Sequence, residues 1–413
     1  MIQYILWAVS FISLWITLVW LNVLVMEPKP RATLARLPHV TIALPCYNRE
    51  LGLGKTIRSL MAMHYPKNLL QFIIVDDCST DRTLAEAKWI QKKHPEYDIL
   101  VLEHSKNRGK AAAVNTALAE AKGELFACLD ADTTVHPDAL NLLVHHFASI
   151  DLGAVIGQVK VDAPQNLYER LQRVEYILSN FIRRLWSNMS TLFVAPGGAL
   201  SVFNTEILRK VGGFAEAGLT EDLEIALRLK ANGYDVQMEP RAITYTKVPQ
   251  DWNALWRQRI RWYRGFVVNH AKYKKLFFDP SHGMLGMFQL PLNVLSVGLL
   301  LLTVLLVSYG SLRSLYQALY RSITIKGYFL NHLLDLPTFK EFLLSQNVQV
   351  ALPIVLGTVL GFYLIYLAHR QMEERLLVNI HHVWLYFVVS PYVTTVHWVS
   401  ALMQEAFGTR RKW

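Results

Sequence analysis

Four long apolar stretches constrain the fold of this chain most strongly. They cover residues 2–26, 284–310, 348–369 and 383–403. A helix needs about 20 predominantly apolar residues to cross the hydrocarbon core of a bilayer, and each stretch reaches that length. The composition agrees, because 52% of the residues are hydrophobic and only 18% are charged. The sequence therefore predicts an integral membrane protein with one span before its main polar region and three spans after it.

The charges that follow the first stretch indicate its orientation. Residues 2–26 carry no charge, whereas Lys29, Arg31 and Arg36 come soon afterwards. A cleavable signal peptide would place positive charge before the apolar stretch instead. By the positive-inside rule, the N-terminus is outside and the polar region is cytoplasmic. We therefore expect a multi-pass protein of the plasma (inner) membrane.

The side of the membrane that holds the C-terminus is left open by two conflicting indications. One span before the polar region and three after it would place the C-terminus outside. The final residues 408–413, GTRRKW, are basic, and this argues for the inside.

The polar region, from about residue 40 to about residue 245, alternates between strand and helix patterns. Short β-branched runs at 40–46, 72–77, 98–103 and 124–130 are typical of buried strands. Helical patterns lie between them, so the region predicts a mostly parallel α/β sheet with helices on both faces. Ligands bind such sheets outside the carboxyl ends of the strands. Four carboxylates fall at those ends: Asp76, Asp77, Asp130 and Asp132.

Net charge and cysteine content narrow the range of partners. The formal net charge of +10 favours phosphates, anionic headgroups or nucleic acid. The three cysteines, Cys46, Cys78 and Cys128, are odd in number and widely spaced. That pattern gives neither a disulfide framework nor metal-ligand spacing. It predicts free thiols in a reducing compartment.

The first two strand ends carry polar turns. In LPCYNRE (44–50), the Pro-x-Tyr-Asn turn can present an aromatic ring and polar groups to a base, although such turns are common. VDDCSTDRT (75–83) has adjacent aspartates, and adjacent strand residues point to opposite faces. One carboxylate can therefore accept from a uracil imide or a ribose hydroxyl, while the other caps. A helix starting at an N-cap, Ser79 or Thr80, is sufficient to explain the motif.

The next two motifs combine acidic and basic groups. Asp130 and Asp132 share one face if the strand continues through them, and two such carboxylates can hold a hard divalent cation together with diphosphate oxygens. An acidic turn is the alternative. In NRGKAAAVNTAL (107–118), Lys110 follows a glycine at a helix start, where anions are attracted. A solvated lysine explains that position equally well.

LTEDLEIALRLKANGY (219–234) reads as a helix that begins after the N-cap Thr220. Glu221 and Asp222 lie in the first turn, where the helix dipole stabilises carboxylates by about 0.3–1 kcal/mol. That stabilisation explains the acidic pair without any catalysis. The functional interpretation makes Asp222 a general base for a sugar hydroxyl.

The segment QRIRWYRG (258–265) lies just before the second apolar stretch. On a helix, Gln258 and Arg261 are three residues apart, and Trp262 follows. Arginine binds phosphate oxygens bidentately, and a tryptophan face can stack on a sugar. The alternative is a belt of Arg and Trp at the headgroup level. Nucleic acid fits poorly, because the segment adjoins a membrane span.

A second amphipathic pattern covers residues 166–189. Its apolar positions alternate at spacings of three and four, with arginines beside them. It predicts either a helix packed on the domain or a helix in the membrane interface. The sequence leaves both open.

Taken in order, PCYN, DD (76–77), DAD (130–132), TED (220–222) and QRIRW (258–262) resemble a processive family 2 glycosyltransferase built into a membrane. The last motif matches the Q-x-x-R-W of that family, which makes cellulose, chitin, hyaluronan and poly-N-acetylglucosamine. The arrangement of spans is most similar to bacterial poly-β-1,6-N-acetylglucosamine synthases. The resemblance implies a GT-A fold, a UDP-sugar donor, Mg²⁺ or Mn²⁺, and inversion at the anomeric carbon.

The resemblance also implies a role for each matching residue. The nucleotide would be bound by Pro45, Tyr47, Asn48, Asp76, Asp77, Lys110 and Asp130. The metal would be bound by Asp130 and Asp132. Asp222 would be the catalytic base, with Glu221 beside it. The diphosphate and acceptor would be held by Gln258, Arg261, Trp262, Gly197 and Gly198, the last two in a small-residue loop with Ala199. Arg49 departs from the family, which often has glutamate there, and leaves the role of Glu50 open.

These inferences give a domain plan and an expected function. The plan has an N-terminal span (1–27), a cytoplasmic GT-A domain (38–250), interfacial helices (251–283) and a C-terminal membrane region (284–413). We expect UDP-N-acetylglucosamine to be polymerised into an exported biofilm exopolysaccharide. A hyaluronan- or chitin-type synthase and a non-processive polyprenyl-phosphate glycosyltransferase are the alternatives. Expected partners are the donor, the growing polysaccharide, the bilayer and either a small membrane protein or a second copy, because four spans are few for a polymer channel.

Overall fold

The computed structural model describes residues 2–25, 34–148, 152–188, 200–328 and 348–409. Within these ranges, eight strands form one sheet in the order β3-β2-β1-β4-β7-β6-β8-β5. The strands are β1 (Val40–Cys46), β2 (Leu70–Asp76), β3 (Asp98–Glu103), β4 (Leu125–Cys128), β5 (Thr134–Val135), β6 (Leu152–Val161), β7 (Ser201–Asn204) and β8 (Asp235–Thr246).

Parallel pairing dominates the first half of the sheet and antiparallel pairing enters in the second. β1 pairs in parallel with β2 and β4, and β2 pairs in parallel with β3. β7 then runs antiparallel between β4 and β6, while β6 and β8 are parallel and β5 is antiparallel to β8. The predicted α/β class is confirmed. The reversal at β7 could not be read from the sequence, because strand periodicity carries no information on direction.

Helices cover both faces of the sheet. They are α2 (Leu53–Met61), α3 (Thr83–Lys93), α4 (Lys110–Ala119), α5 (Ala139–Val144), α7 (Thr205–Lys210) and α8 (Glu221–Ala231). Side chains of α2, α3 and α5 form one core with β1 and β2. Side chains of α4, α7 and α8 form a second core on the opposite face. β1 and β2 are buried along nearly their whole length, which explains why their sequences are apolar runs.

Two long amphipathic helices connect the sheet to the apolar helices. They are α6 (Leu167–Asn188) and α9 (Trp252–Lys272). The apolar stripe of α6 contacts α1 (Ile2–Val25) and α11 (Val348–Gln371) through Phe181 and Leu185, and the helix also packs on β6 and β8. The prediction of a helix packed on the domain is confirmed, and a location in the membrane interface stays a prediction. α9 begins where the Asp251 side chain accepts a hydrogen bond from Ala254 N at 2.9 Å.

Four of the described helices are long and apolar enough to cross a membrane. Their candidate spans are Tyr4–Val25, Leu285–Thr324, Ala351–Gln371 and Leu376–Ala406. The helices themselves are α1 (Ile2–Val25), α10 (Leu290–Thr324, preceded by a π-helical turn at Leu285–Gln289), α11 (Val348–Gln371) and α12 (Leu376–Ala406). The prediction of a membrane protein with four long apolar segments is supported by these helices.

Candidate active site

A cavity of about 370 Å³ opens at the carboxyl ends of β1, β2 and β4. We call it the first cavity. The predicted site residues that line it are Pro45, Tyr47, Asp77, Lys110, Asp130, Asp132, Glu221, Asp222, Gln258, Arg261 and Trp262. Residues up to 217 positions apart in the sequence thus meet in one cleft, counting from Pro45 to Trp262. Two predicted residues, Asn48 and Asp76, lie beside it without lining it.

Asn48 connects the turn after β1 to the turn after β2. Its backbone N donates to Ser79 Oγ at 2.9 Å, and its Oδ1 accepts from Thr80 N at 2.8 Å. Its φ of +53° is in the left-handed region, which asparagine tolerates better than most residues. Asn48 therefore fixes the shape of the turn that presents Tyr47.

Asp77 holds the loop that leads into α4. Its Oδ1 accepts from Arg108 N at 2.8 Å and lies 2.7 Å from Nδ1 of His104, while its Oδ2 accepts from Gly109 N at 2.7 Å. The side chain is buried at the edge of the first cavity. Asp77 thus positions Lys110, the residue after Gly109. His104 was not found by the sequence reasoning, because a lone histidine after a strand carries no motif.

Asp76 is buried, and its Oδ2 accepts from Ser79 N at 3.0 Å. Among the described residues, its Oδ1 has no hydrogen-bond partner. The predicted helix start at Ser79 or Thr80 is wrong, since α3 begins at Thr83. The cause is local: the side chain of Asp81 accepts from Thr83 N at 2.9 Å, so the helix starts after this turn.

Lys110 lies between two carboxylates. Its Nζ is 2.6 Å from Asp130 Oδ1 and 3.5 Å from Glu221 Oε1. Burial lowers the pKa of Lys110, but the charges of Asp130 and Glu221 outweigh burial and hold the pKa well above its ordinary value. The alternative of a solvated lysine is therefore wrong.

Asp132 faces Arg49 across the opening of the first cavity. Arg49 Nη2 is 3.4 Å from Asp132 Oδ2. Burial, and then the charge of Asp130, raise the pKa of Asp132. Arg49 thus supplies positive charge at the position where the resembling family often has a carboxylate.

The first cavity also contains residues that the sequence reasoning missed. They are Cys46, Arg49, Ala113, Ala131, Tyr176, Thr246 and Lys247. Thr246 and Lys247 follow the carboxyl end of β8, so the strand-end rule applied to that strand could have found them. Tyr176 is contributed by α6, and no local signal pointed to it. Cys46 is buried at 1% exposure, and burial raises the pKa of its thiol.

α8 begins at Glu221, as predicted, but Thr220 does not cap it through its side chain. Thr220 Oγ1 instead accepts from Asn269 Nδ2 of α9 at 3.0 Å. α9 comes so close here that a Cβ on Gly265 would lie 2.6 Å from Thr220 Cγ2. The capping prediction is wrong because a tertiary contact takes the hydroxyl. The two motifs TED and QRIRWYRG are thereby packed directly together.

Asp222 lies where the first cavity meets a second one. Burial, and then the charge of Glu221, raise the pKa of Asp222. Its Oδ1 accepts from Leu223 N at 2.7 Å. A carboxylate with a raised pKa is a stronger base, so this position suits proton abstraction from a hydroxyl.

The QRIRWYRG segment turns its functional groups inward. Gln258, Arg261 and Trp262 line the first cavity, and Arg261 Nη1 donates to the Leu219 carbonyl at 3.2 Å. The guanidinium of Arg259 lies 4.3 Å from the centre of the Trp262 ring. The buried arginine thus supports the tryptophan from behind. The headgroup-belt interpretation does not fit these three residues.

The second cavity, of about 490 Å³, extends from the first toward α10 and α12. Tyr176, Asp222 and Trp262 line both cavities. Its other walls are rich in aromatic rings and amides: Asn180, Trp186, Tyr263, Phe266, Gln289, Asn293 and Trp398. Arg183 also lines it, and burial lowers the pKa of this arginine. Among the described residues, Arg183 forms no ion pair.

Gly197, Gly198 and Ala199 lie outside the described residues. Within the described ranges, no group of three or more His, Cys, Asp or Glu side chains could hold a metal ion. The two carboxylates predicted to hold a divalent cation, Asp130 and Asp132, both line the first cavity. They fit such an ion, because the raised pKa of Asp132 reflects negative charge that a cation would offset, and phosphate oxygens can complete the shell.

Comparisons with known proteins agree with this geometry. Residues 38–265 match the family described as "Glycosyltransferase like family 2". A protein of Bacillus subtilis named "Probable glycosyltransferase YdaM" is 31% identical over 61% of this chain and 60% of its own length. The poly-beta-1,6-N-acetyl-D-glucosamine synthase of Staphylococcus aureus is 30% identical over 58% of this chain and 57% of its own length. The chain thus spans about three fifths of the length of these relatives.

A solved structure extends the likeness to the whole chain at the level of the fold. It is a mannosyltransferase from Pyrobaculum calidifontis in complex with GDP-Man and Mn²⁺, with a TM-score of 0.64 and 19% identity over 99% of this chain and 100% of that one. The family match covers more than half of the chain and includes every strand, all of α6 and α9 as far as residue 265. This chain therefore belongs to the family 2 glycosyltransferases and has their GT-A fold.

Proposed function

We propose that this glycosyltransferase polymerises UDP-N-acetylglucosamine into poly-β-1,6-N-acetylglucosamine and passes the polymer across the membrane. The single observation that supports this best is the position of Asp222 between the two cavities. A donor in the first cavity and a sugar chain in the second would meet at this carboxylate. The similarity to synthases of that polymer supports the choice of sugar and linkage.

The side chains of the first cavity are suited to bind a nucleoside diphosphate. Tyr47 and Asp77 lie on the side where we place the uridine, and Lys110 and Arg261 supply cations for the phosphates. Mg²⁺ or Mn²⁺ held by Asp130 and Asp132 would neutralise charge on the departing UDP. We assign Gln258 to the same diphosphate.

The transfer step needs one base. Asp222 takes the proton of the acceptor hydroxyl while its oxygen attacks the anomeric carbon from the face opposite to UDP. The bond from that carbon to the phosphate oxygen breaks, and UDP leaves with the electron pair, so the anomeric centre inverts. Lys110 and Arg261 stabilise the charge that develops on the leaving group.

The second cavity has the chemistry for a sugar chain. Aromatic faces such as Trp186 and Trp398 suit the apolar faces of sugar rings, and amides such as Asn180 and Asn293 suit their hydroxyls. It extends toward the apolar helices, which supports export as the fate of the polymer. UDP-sugars are made in the cytosol, so we place the catalytic domain on the cytoplasmic side of the plasma membrane. A second copy or a small membrane partner would complete the passage.

Purified protein incubated with a panel of labelled UDP-sugars tests this proposal. We expect incorporation from UDP-N-acetylglucosamine into long products that a β-1,6-specific hexosaminidase degrades. Long products from another sugar, or resistance to that enzyme, would contradict the assignment. In a second assay, the donor is enclosed in vesicles whose catalytic domains face inward. Polymer found only outside these vesicles would support export, and polymer that stays inside with the donor would contradict it.

Arg183 favours a second candidate, in which the acceptor carries an anion. A mostly buried guanidinium without an ion pair among the described residues suits a polyprenyl phosphate, or the carboxylate of a hyaluronan-type chain. In the first case the product would be a single sugar on lipid, and in the second UDP-glucuronate would be consumed. A chitin-type product would show β-1,4 linkages instead. Product length and the sugar panel separate these outcomes.

A further inference from the structure

The segment before α12 is bound to the catalytic domain. Glu374 lies in the turn between α11 and α12, and its Oε2 is 2.5 Å from Arg173 Nη2 of α6. Its Oε1 is 3.5 Å from Nζ of Lys160, a residue of the central strand β6. Lys160 Nζ also donates to the Met372 carbonyl at 3.0 Å. The start of α12 is therefore held beside the sheet of the catalytic domain.

The far end of α12 is bound to the same domain. Glu405 Oε1 is 2.5 Å from Arg264 Nε, and Arg264 Nη2 donates to the Thr409 carbonyl at 2.8 Å. Arg264 precedes Gly265, which is in close contact with Thr220 of the TED motif. The end of α12 is thus anchored beside the active site.

The last third of α12 packs along α9 rather than away from it. Trp398 stacks on Tyr263 with ring centres 4.3 Å apart and planes 3° apart. His397 lies 4.8 Å from Trp256 and 5.4 Å from Trp252. Contacts with the domain therefore recur between the two anchored ends.

These contacts are incompatible with a membrane crossing. α12 has 31 residues and so measures about 46 Å, and the ends of a spanning helix lie on opposite sides of a core about 30 Å thick. If α12 crossed the bilayer, one of its anchored ends would lie on the far side. Either Lys160 and Glu374 or Arg264 and Glu405, together with the attached part of the domain, would then have to lie beyond or within the hydrocarbon. Charged groups in the hydrocarbon are costly, and the sheet of the domain cannot enter it.

The outer face of α12 indicates what covers it. Val388, Tyr392, Val396, Val399 and Met403 are exposed by 44–53% and form one apolar stripe at helical spacing. α11 ends at the turn just before α12, so the stripe is continuous with a candidate span. The sequence after α12 contains Arg410, Arg411 and Lys412, which suit anionic headgroups. Lipid of the adjoining leaflet is the occupant that fits this face.

We propose that α12 is a membrane-surface helix that lies along the leaflet facing the catalytic domain and does not cross the bilayer. Of the four candidate spans among the described helices, α1, α10 and α11 then cross, and the C-terminus lies on the same side as the catalytic domain. This removes the conflict between the count of apolar stretches and the basic tail. It also makes α12 the membrane-side support of the QRIRWYRG segment.

Labelling with a membrane-impermeant maleimide in sealed vesicles of known orientation tests the proposal. Three single variants are compared: Glu120→Cys as the reference on the catalytic domain, Phe407→Cys after α12, and Ser345→Cys between α10 and α11. The labelled peptide is identified by mass, so the native cysteines do not interfere. We expect Glu120→Cys and Phe407→Cys to be labelled from one side and Ser345→Cys from the other. Labelling of Phe407→Cys together with Ser345→Cys would overturn the proposal.

Depth measurements give a second, independent test. Spin labels at His381→Cys, Tyr392→Cys and Met403→Cys lie 11 residues apart on one exposed face of α12. A surface helix predicts similar collision rates with dissolved oxygen at the three positions, because they point in nearly the same direction. A crossing helix would place Tyr392→Cys near the bilayer centre, about 16 Å deeper than the other two at 1.5 Å per residue. A maximum in the oxygen collision rate at Tyr392→Cys would therefore overturn the proposal, even if the maleimide variants failed to insert into the membrane.

Discussion

The ammonium group of Lys110 and a carboxylate oxygen of Asp130 lie 2.6 Å apart in the first cavity. This contact joins the start of α4 to the end of β4 and leaves a fixed positive charge beside the proposed metal ligands. The loop before Lys110 is held in turn by Asp77. The position of this cation is therefore built into the fold through the contacts of Asp130 and Asp77.

Lys110→Met should weaken UDP binding about tenfold or more, as expected for the loss of a hydrogen bond to a charged group. Isothermal calorimetry with UDP measures this. Lys122→Met is the matched control, because Lys122 makes a surface ion pair of 2.9 Å with Asp98. Equal UDP affinities of the two variants would refute a phosphate-binding role for Lys110.

Asp222→Asn should lower the transfer rate by about 10²–10⁴-fold, the usual contribution of a general base. UDP-sugar affinity should change little, because the base acts on the acceptor. The readouts are UDP release and equilibrium binding of the donor. Asp138→Asn, at a half-exposed carboxylate paired with His64, serves as the control. Wild-type turnover in Asp222→Asn would exclude it as the base.

Glu221→Gln should shift the acid limb of the kcat/KM profile to lower pH. Burial and the charge of Glu221 raise the pKa of Asp222, and a base is active only when deprotonated. Activity is thus lost as pH falls through this raised pKa. Removing the neighbouring charge lowers the pKa, so the loss occurs at lower pH. Glu120→Gln is the control. If Glu221→Gln leaves the acid limb unchanged, a group other than Asp222 sets the profile.

Asp132→Asn should raise the Mn²⁺ or Mg²⁺ concentration needed for half-maximal activity, because one of two carboxylate ligands is lost. Chelation with EDTA should abolish transfer in the wild type, and added Mn²⁺ should restore it. Asp98→Asn, far from the first cavity, should keep the wild-type metal response. Full activity of the wild type in EDTA would refute the metal site.

Gly265→Ala should destabilise the protein by about 1–3 kcal/mol and reduce transfer, since the new methyl group overlaps Thr220 and pushes α9 away from TED. Adding Thr220→Ala, which removes both Oγ1 and Cγ2, should restore part of the loss. Gly298→Ala is the control, because no atom lies within 4 Å of a Cβ at that position. Thermal unfolding in detergent and UDP release are the measurements. Identical behaviour of the two alanine variants would contradict the predicted overlap.

Much of the fold was predictable from local patterns. β1 runs from Val40 to Cys46 as its apolar sequence indicates, and the strand-end rule brought Asp77, Asp130 and Asp132 to one edge. These features depend on burial and alternation, which are encoded within a few residues.

The errors share one physical cause, which is that long-range contacts decide the outcome. Thr220 was assigned as a side-chain cap, but Asn269 of α9 takes its hydroxyl. The ion pairs of Glu374 and Glu405 that hold α12 to the catalytic domain also join residues far apart in the sequence, so local composition could not reveal them. Arg259 has no motif of its own, and its role behind Trp262 depends on how α9 is rotated.

The shared wall formed by Tyr176, Asp222 and Trp262 has a pharmacological consequence. A compound that joins a uridine mimic to a short oligosaccharide would occupy both chambers at once. Its two halves would bind with a high effective concentration for each other, so its potency would exceed that of either half alone.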